Sequence, residues 1–255
     1  MPGSGRDPLN EYLTGHIPGA VFFDLDATSD PMTHLPHMLP SAEAFSERMM
    51  LLGLDDADDI VVYDGSGVNL SAPRVWWMLR TFGHERAAVL DGGMHKWRRE
   101  GRAIEPGRVE LPRGHFTARL NPAAVRDLAA VRANIENGAE QLVDVRSRGR
   151  FLGIEPEPRP GLRGGHVPGS RNLPFTELAR AEGTMLAVEE LRRLIKGAGV
   201  DLDRPVVTTC GSGTSACALV LALHLLGRQA AVYDGAWAEW GGRPDTPVES
   251  SSAPD

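Results

Sequence analysis

Short apolar runs rich in β-branched residues alternate along the chain with longer stretches of helical periodicity. Residues 141–145, 206–209 and 230–233 show no polar alternation, as expected of strands buried on both faces. Between them, residues 188–196 and 215–226 read as helices, the second stopped by Gly227. Strands alternating with helices predict right-handed βαβ units, and so an α/β protein with mostly parallel sheets covered by helices on both faces.

The pattern is doubled. His16-Ile17-Pro18-Gly19-Ala20 returns as His166-Val167-Pro168-Gly169-Ser170, and Asp91-Gly92-Gly93 with Trp97 returns as Asp234-Gly235-Ala236 with Trp240. Matching Asp64 to Cys210 aligns Ile60-Val61-Val62-Tyr63 with Val206-Val207-Thr208-Thr209. A tandem copy of one ancestral unit is implied, giving a domain over 1–106, a Pro- and Gly-punctuated linker over 107–122, and a domain over 123–255. The first half lacks the opening strand and helix that precede His166 in the second. Either the true start lies upstream of Met1 or the first domain runs on a depleted sheet.

At 255 residues the chain has room for two domains of ordinary size. A net charge of −7 argues against a broad nucleic-acid footprint. No apolar run approaches the roughly 18–20 residues that span a bilayer, and the N-terminus lacks a secretory apolar core, so no membrane partner is expected. Two cysteines exclude a disulfide framework and suit a reducing compartment, the cytoplasm. Residues 246–255, rich in Ser and Pro, are expected to be loose. No metal cluster, phosphate loop or dinucleotide fingerprint is present, so neither a metal nor a cofactor is expected.

The chemistry concentrates at Cys210. An apolar strand ends there, Gly211, Ser212, Gly213, Thr214 and Ser215 follow, and an apolar helix begins. Small residues let the backbone curl with its amides inward, and the helix adds the positive end of its dipole. That setting favours thiolate over thiol and can hold an anion or a terminal persulfide sulfur. The plainer alternative is a small buried core cysteine, which describes Cys217 better because it lies inside the helix. Cys210 and Cys217 do not supply a zinc site. Asp64, at the matching place in the first half, cannot act as a sulfur nucleophile, so that half reads as catalytically silent.

Taken in order, several motifs make the chain resemble the tandem rhodanese family. They are Gly15-His16-Ile17-Pro18-Gly19-Ala20, Leu35-Pro36-His37-Met38-Leu39-Pro40, Ser71-Ala72-Pro73-Arg74-Val75-Trp76-Trp77, Glu155-Pro156-Glu157-Pro158-Arg159, Cys210-Gly211-Ser212-Gly213 and Tyr233-Asp234-Gly235-Ala236-Trp237. The resemblance implies two rhodanese-like domains and a sulfurtransferase that carries sulfur as a Cys210 persulfide. Neutral Gly211 and Ser212, where thiosulfate-using members place basic residues, imply 3-mercaptopyruvate as the small-molecule donor. Ala216, sixth after the cysteine, leaves the phosphatase-type loop without its arginine.

Within that resemblance Arg150 and Arg159 correspond to residues that hold the donor's carboxylate and carbonyl, while Gly211, Gly213, Thr214 and Ser215 line the cradle. A relay of Ser212, His16 and Asp7 is implied, with His16 contributed by the first domain. His16 also reads as a structural turn histidine, a reading strengthened by His166 in the same context, and Ser212 as a loop hydrogen-bond donor. Thioredoxin or another thiol is the implied acceptor. Two other functions stay open: a thiosulfate:cyanide sulfurtransferase and a non-catalytic binding module.

Overall fold

A computed structural model describes residues 5–68 and 70–250. The chain divides into two compact units. One gathers the chain up to Met32 with Leu39–Asn121 and Ala181–Thr184; the other takes Thr33–Met38, Pro122–Arg180 and the chain from Met185 onward.

The first unit contains helices α1 (Pro8–Thr14), α2 (Ala42–Leu51), α3 (Ala72–Thr81) and α4 (Gly93–Arg99) with strands β1 (Ile60–Val62) and β2 (Ala87–Val89). The second contains β3 (Val125–Arg126), α5 (Leu128–Asn137), β4 (Gln141–Asp144), α6 (Arg148–Leu152), β5 (Arg171–Asn172), α7 (Val188–Gly197), β6 (Val206–Thr209), α8 (Ala216–Leu225), β7 (Ala231–Tyr233) and α9 (Ala236–Trp240).

In the second unit five strands pair in parallel in the order β3-β7-β6-β4-β5, so the strand leading to Cys210 is central. Every residue of β4, β6 and β7 is buried, as their lack of polar alternation predicts. Helix α8 is buried from Ala216 to Leu223, each large apolar side chain contributing about 1.5–3 kcal/mol. Its end is set by Gly227, at φ +71°, a left-handed conformation that glycine adopts without steric cost.

In the first unit, among the described residues, β1 pairs only with β2. Val61 of β1 is 58% exposed, whereas its counterpart Val207 packs in a core with Val131 and Leu142. Those partners come from α5 and β4.

Of the segment 107–122, all but Pro122 lies in the first unit. Val109 N–H donates to Tyr12 Oη at 3.0 Å, Gly114 N–H to Met50 O at 2.9 Å and Arg119 N–H to Phe82 O at 2.8 Å, and Phe116 is buried against Phe45 and His84. The expectation of a loose tail is corrected over its first residues. Thr246 Oγ1 donates to Trp240 O at 2.6 Å, Trp240 Nε1 donates to Pro247 O at 2.7 Å, and His166 and Glu249 exchange backbone hydrogen bonds of 2.8 and 3.0 Å. A buried tryptophan N–H needs an acceptor, and the chain after α9 supplies it. The remaining tail, 251–255, lies outside the described residues.

Candidate active site

Cys210 follows the last residue of β6 and is 1% exposed. The loop from Gly211 to Ser215 turns directly into α8, with Gly213 at φ +74° providing the tight curl. Among the described residues, the amides of Gly211, Ser212, Thr214 and Ser215 donate to no protein acceptor. They form the ring of donors that an anion beside a thiol needs, at the start of a ten-residue helix. The loop is fixed from behind: Trp237 N–H donates to Cys210 O and Ala238 N–H to Gly211 O, both at 2.9 Å. Cys217 sits within α8, fully buried, its Sγ donating to Gly213 O at 3.4 Å.

The imidazole that meets this loop is His37. Its Nδ1 lies 3.2 Å from Ser212 Oγ and 3.0 Å from Thr214 Oγ1. Although His37 falls early in the sequence, its segment Thr33–Met38 belongs to the second unit. His37 has φ +61° and Ala236, opening α9, has φ +51°; these are the two non-glycine residues with positive φ among those described. Backbone strain of this kind persists where surrounding structure holds it, and both instances adjoin the cysteine loop.

Each residue of the expected relay has partners inside its own unit. Ser212 bonds His37, while His16 and Asp7 are engaged within the first unit. His16 Nδ1 lies 3.0 Å from Tyr12 O, its Nε2 faces Glu105 Oε1 at 3.4 Å, and its ring stacks on Tyr12. Asp7 Oδ1 accepts from Asn10 N–H at 3.0 Å and caps α1. An Asp directly before Pro8 at a helix start has this use ready to hand. His37 was legible only as a histidine in the proline-flanked Leu35-Pro36-His37-Met38-Leu39-Pro40, outside any periodic element.

Of the two arginines, Arg150 reaches the loop. Its Nη2 lies 2.9 Å from where a Cβ on Gly211 would stand, so only glycine admits the guanidinium there. Arg150 is also bonded by Glu157: Nε to Oε1 at 3.2 Å and Nη2 to Oε2 at 2.6 Å. Behind it, Arg146 is paired with Asp144 through Nη2 at 2.6 Å, donates to Glu157 Oε1 at 2.7 Å, and lies over the Trp237 ring at 4.2 Å. Burial lowers the proton affinity of the Arg146 guanidinium, but Asp144 and Glu157 more than offset it and the pKa is raised. Arg159 is half-buried on the loop after α6 and has no hydrogen-bond or ion-pair partner among the described residues.

In the first unit the matching loop holds its own carboxylate. Asp64 Oδ1 accepts from Ser66 N–H and Oγ at 2.8 and 2.5 Å, and Oδ2 accepts from Ser71 N–H at 2.8 Å and Ala72 N–H at 2.9 Å. The comparison is direct. One loop presents unpaired amides beside a sulfur, and the other is filled by an aspartate.

A model of the rhodanese-like domain matches residues 6–100 and 127–243. The chain is 48% identical over 245 residues to 3-mercaptopyruvate sulfurtransferase of Escherichia coli (strain K12), covering 96% of this chain and 86% of that one. It is 42% identical over 272 residues to thiosulfate/3-mercaptopyruvate sulfurtransferase 1, mitochondrial, of Arabidopsis thaliana, covering 98% and 72%. The crystal structure of SseA from Escherichia coli, a 3-mercaptopyruvate sulfotransferase, superposes with a TM-score of 0.84 at 44% identity over 92% of this chain and 88% of SseA. With both halves matched and the cysteine loop standing only in the second, the chain belongs to the rhodanese family.

Proposed function

We propose that this protein is a sulfurtransferase that takes sulfur from 3-mercaptopyruvate onto Cys210 and passes it to a thiol or to cyanide. The observation that carries the reading is the ring of unpaired amides around Cys210, with His37 on the loop hydroxyls. The Cys210 thiolate attacks the donor sulfur, and the donor's C–S bond breaks. Its electron pair leaves with carbon as the enolate of pyruvate, while the sulfur stays as a Cys210 persulfide. The amides of Gly211, Ser212, Thr214 and Ser215 hold the outer sulfur, and Gly213 gives the loop its curl. Arg150 and Arg159 hold the donor's carboxylate and carbonyl by charge-assisted hydrogen bonds. The donor thiol proton moves through Ser212 and His37 to the enolate carbon.

In the second half-reaction an acceptor thiol, such as the dithiol of thioredoxin, attacks the outer sulfur and Cys210 leaves as thiolate. A reducing compartment such as the cytoplasm keeps both partners in the required state. No helix is long and apolar enough to cross a membrane among the described residues.

Intact mass after incubation with 3-mercaptopyruvate tests the reading. The expected result is one added sulfur at residue 210 together with released pyruvate; a folded protein that gains no sulfur overturns it. The thiosulfate reading rests on the double name of the Arabidopsis relative, and a large thiosulfate preference in kcat/KM would favour it.

A further inference from the structure

Glu157 has a side chain 2% exposed, and its hydrogen-bond partners are both guanidinium groups. Its pairing with Arg150 is side-on, taking the Nε–Nη2 edge, while Arg146 on its other side is already matched by Asp144. Asp144, Arg146, Glu157 and Arg150 thus sum to zero charge, and Arg150, the member that reaches the Gly211 backbone, meets the loop with its charge already matched. In a partly water-excluded site such a charge is weakly screened and acts on any anion bound at the loop. A donor with one negative charge is held by hydrogen bonds that survive this neutralisation. A dianion depends on net positive charge and is disfavoured more.

We propose that Glu157 is a positioning and specificity-determining residue: by locking Arg150 against Gly211 and cancelling its charge, it biases the Cys210 loop toward monoanionic sulfur donors over dianionic ones. This rests on the function proposed above.

The test compares kcat/KM for 3-mercaptopyruvate and for thiosulfate, with cyanide as acceptor, in the full chain and its variants. Glu157→Gln removes the charge and keeps the shape; the thiosulfate-to-mercaptopyruvate ratio is expected to rise about tenfold. Glu157→Asp keeps the charge but shortens the reach. It should raise KM for mercaptopyruvate while leaving the ratio within about twofold of the parent. If Glu157→Gln proves unstable because Arg146 loses a partner, the charge-neutral pair E157Q/R150Q and the single R150Q take its place, with the ratio near parental in the first and below it in the second. A merely structural role lowers both donors together. An unchanged ratio in E157Q, an equal shift in E157D, or failure of the pair and single to diverge overturns the inference alone. A parent that releases no pyruvate overturns the proposed function and this inference with it.

Discussion

His16 and His166 hold the same bonding environment in the two halves of the chain. Each Nδ1 meets a backbone carbonyl, Tyr12 O at 3.0 Å or Phe151 O at 2.8 Å, and each ring stacks on that same aromatic residue. Each Nε2 faces a glutamate, Glu105 at 3.4 Å or Glu249 at 3.5 Å, whose backbone bridges back to the histidine. An environment repeated in both copies of the unit supports a structural role for both histidines. His16→Ala should therefore cost roughly 2–3 kcal/mol of stability, read from denaturant melts, and spare turnover per folded molecule. His37→Asn should do the reverse, lowering kcat/KM for pyruvate release about 100-fold with little change in Tm. Matching losses of activity in the two would restore His16 to the chemistry.

Cys210→Ser and Cys217→Ser separate the two sulfurs. The first removes the nucleophile and should abolish persulfide formation. The second keeps a donor able to reach Gly213 O and should retain most activity at a cost of about 1 kcal/mol. Intact mass after donor treatment distinguishes them: one added sulfur in Cys217→Ser, none in Cys210→Ser. A persulfide in both would place the transfer elsewhere.

Gly211→Ala probes the contact with Arg150. The new Cβ would stand 2.9 Å from Nη2, the far end of a flexible side chain, so the guanidinium shifts rather than the backbone. Stability should change by less than about 1 kcal/mol while KM for 3-mercaptopyruvate rises several-fold. A large drop in Tm with KM unchanged would mean that the glycine serves folding instead.

The core of the second unit is open to reading because β4, β6 and β7 lack polar alternation and lie inside a covered sheet; Val206–Thr209 matches the predicted run end to end. The cysteine loop was readable for a related reason, since Gly-Ser-Gly between a strand and a helix has few other uses. Harder to see were contacts made by residues remote in sequence. His37 reaches Ser212 through a positive-φ turn that no periodicity encodes, and Glu157 is one acid among several in an arginine-rich stretch until burial shows that it bonds two of them. The repeat matches Asp64 to Cys210 but does not reveal that the Asp64 carboxylate occupies the amides of its own loop.

Alkaline stability should report on Tyr233. Burial, and after it the neighbouring Glu239 carboxylate, pushes its hydroxyl above the ordinary phenol range, with Oη donating to Glu239 Oε2 at 2.9 Å. A folded pKa raised above the unfolded value contributes stability that is complete below about pH 10 and falls away as pH rises beyond it. Tyr63, also raised by burial, adds a smaller part of the same sign. Tyr233→Phe should flatten the decline in Tm above pH 10; a decline as steep as the parent's would assign the alkaline loss to other groups.

Asp64→Ala should expose the first unit's cradle. Three backbone amides, those of Ser66, Ser71 and Ala72, lose their acceptor at the start of α3, costing roughly 2–3 kcal/mol. An anion in solution can supply what the carboxylate supplied, so sulfate should recover part of the lost Tm in the variant. Sulfate also stabilises proteins generally by exclusion from their surfaces, and the Cys210 loop carries the same amides in both proteins. The informative quantity is therefore the excess shift of the variant over the parent at equal sulfate, with chloride at matched ionic strength as control. Asp64→Asn keeps an acceptor in place without the charge and should fall between the two. Equal sulfate shifts in Asp64→Ala and the parent would show that the first loop collapses without its aspartate and offers no anion cradle of its own.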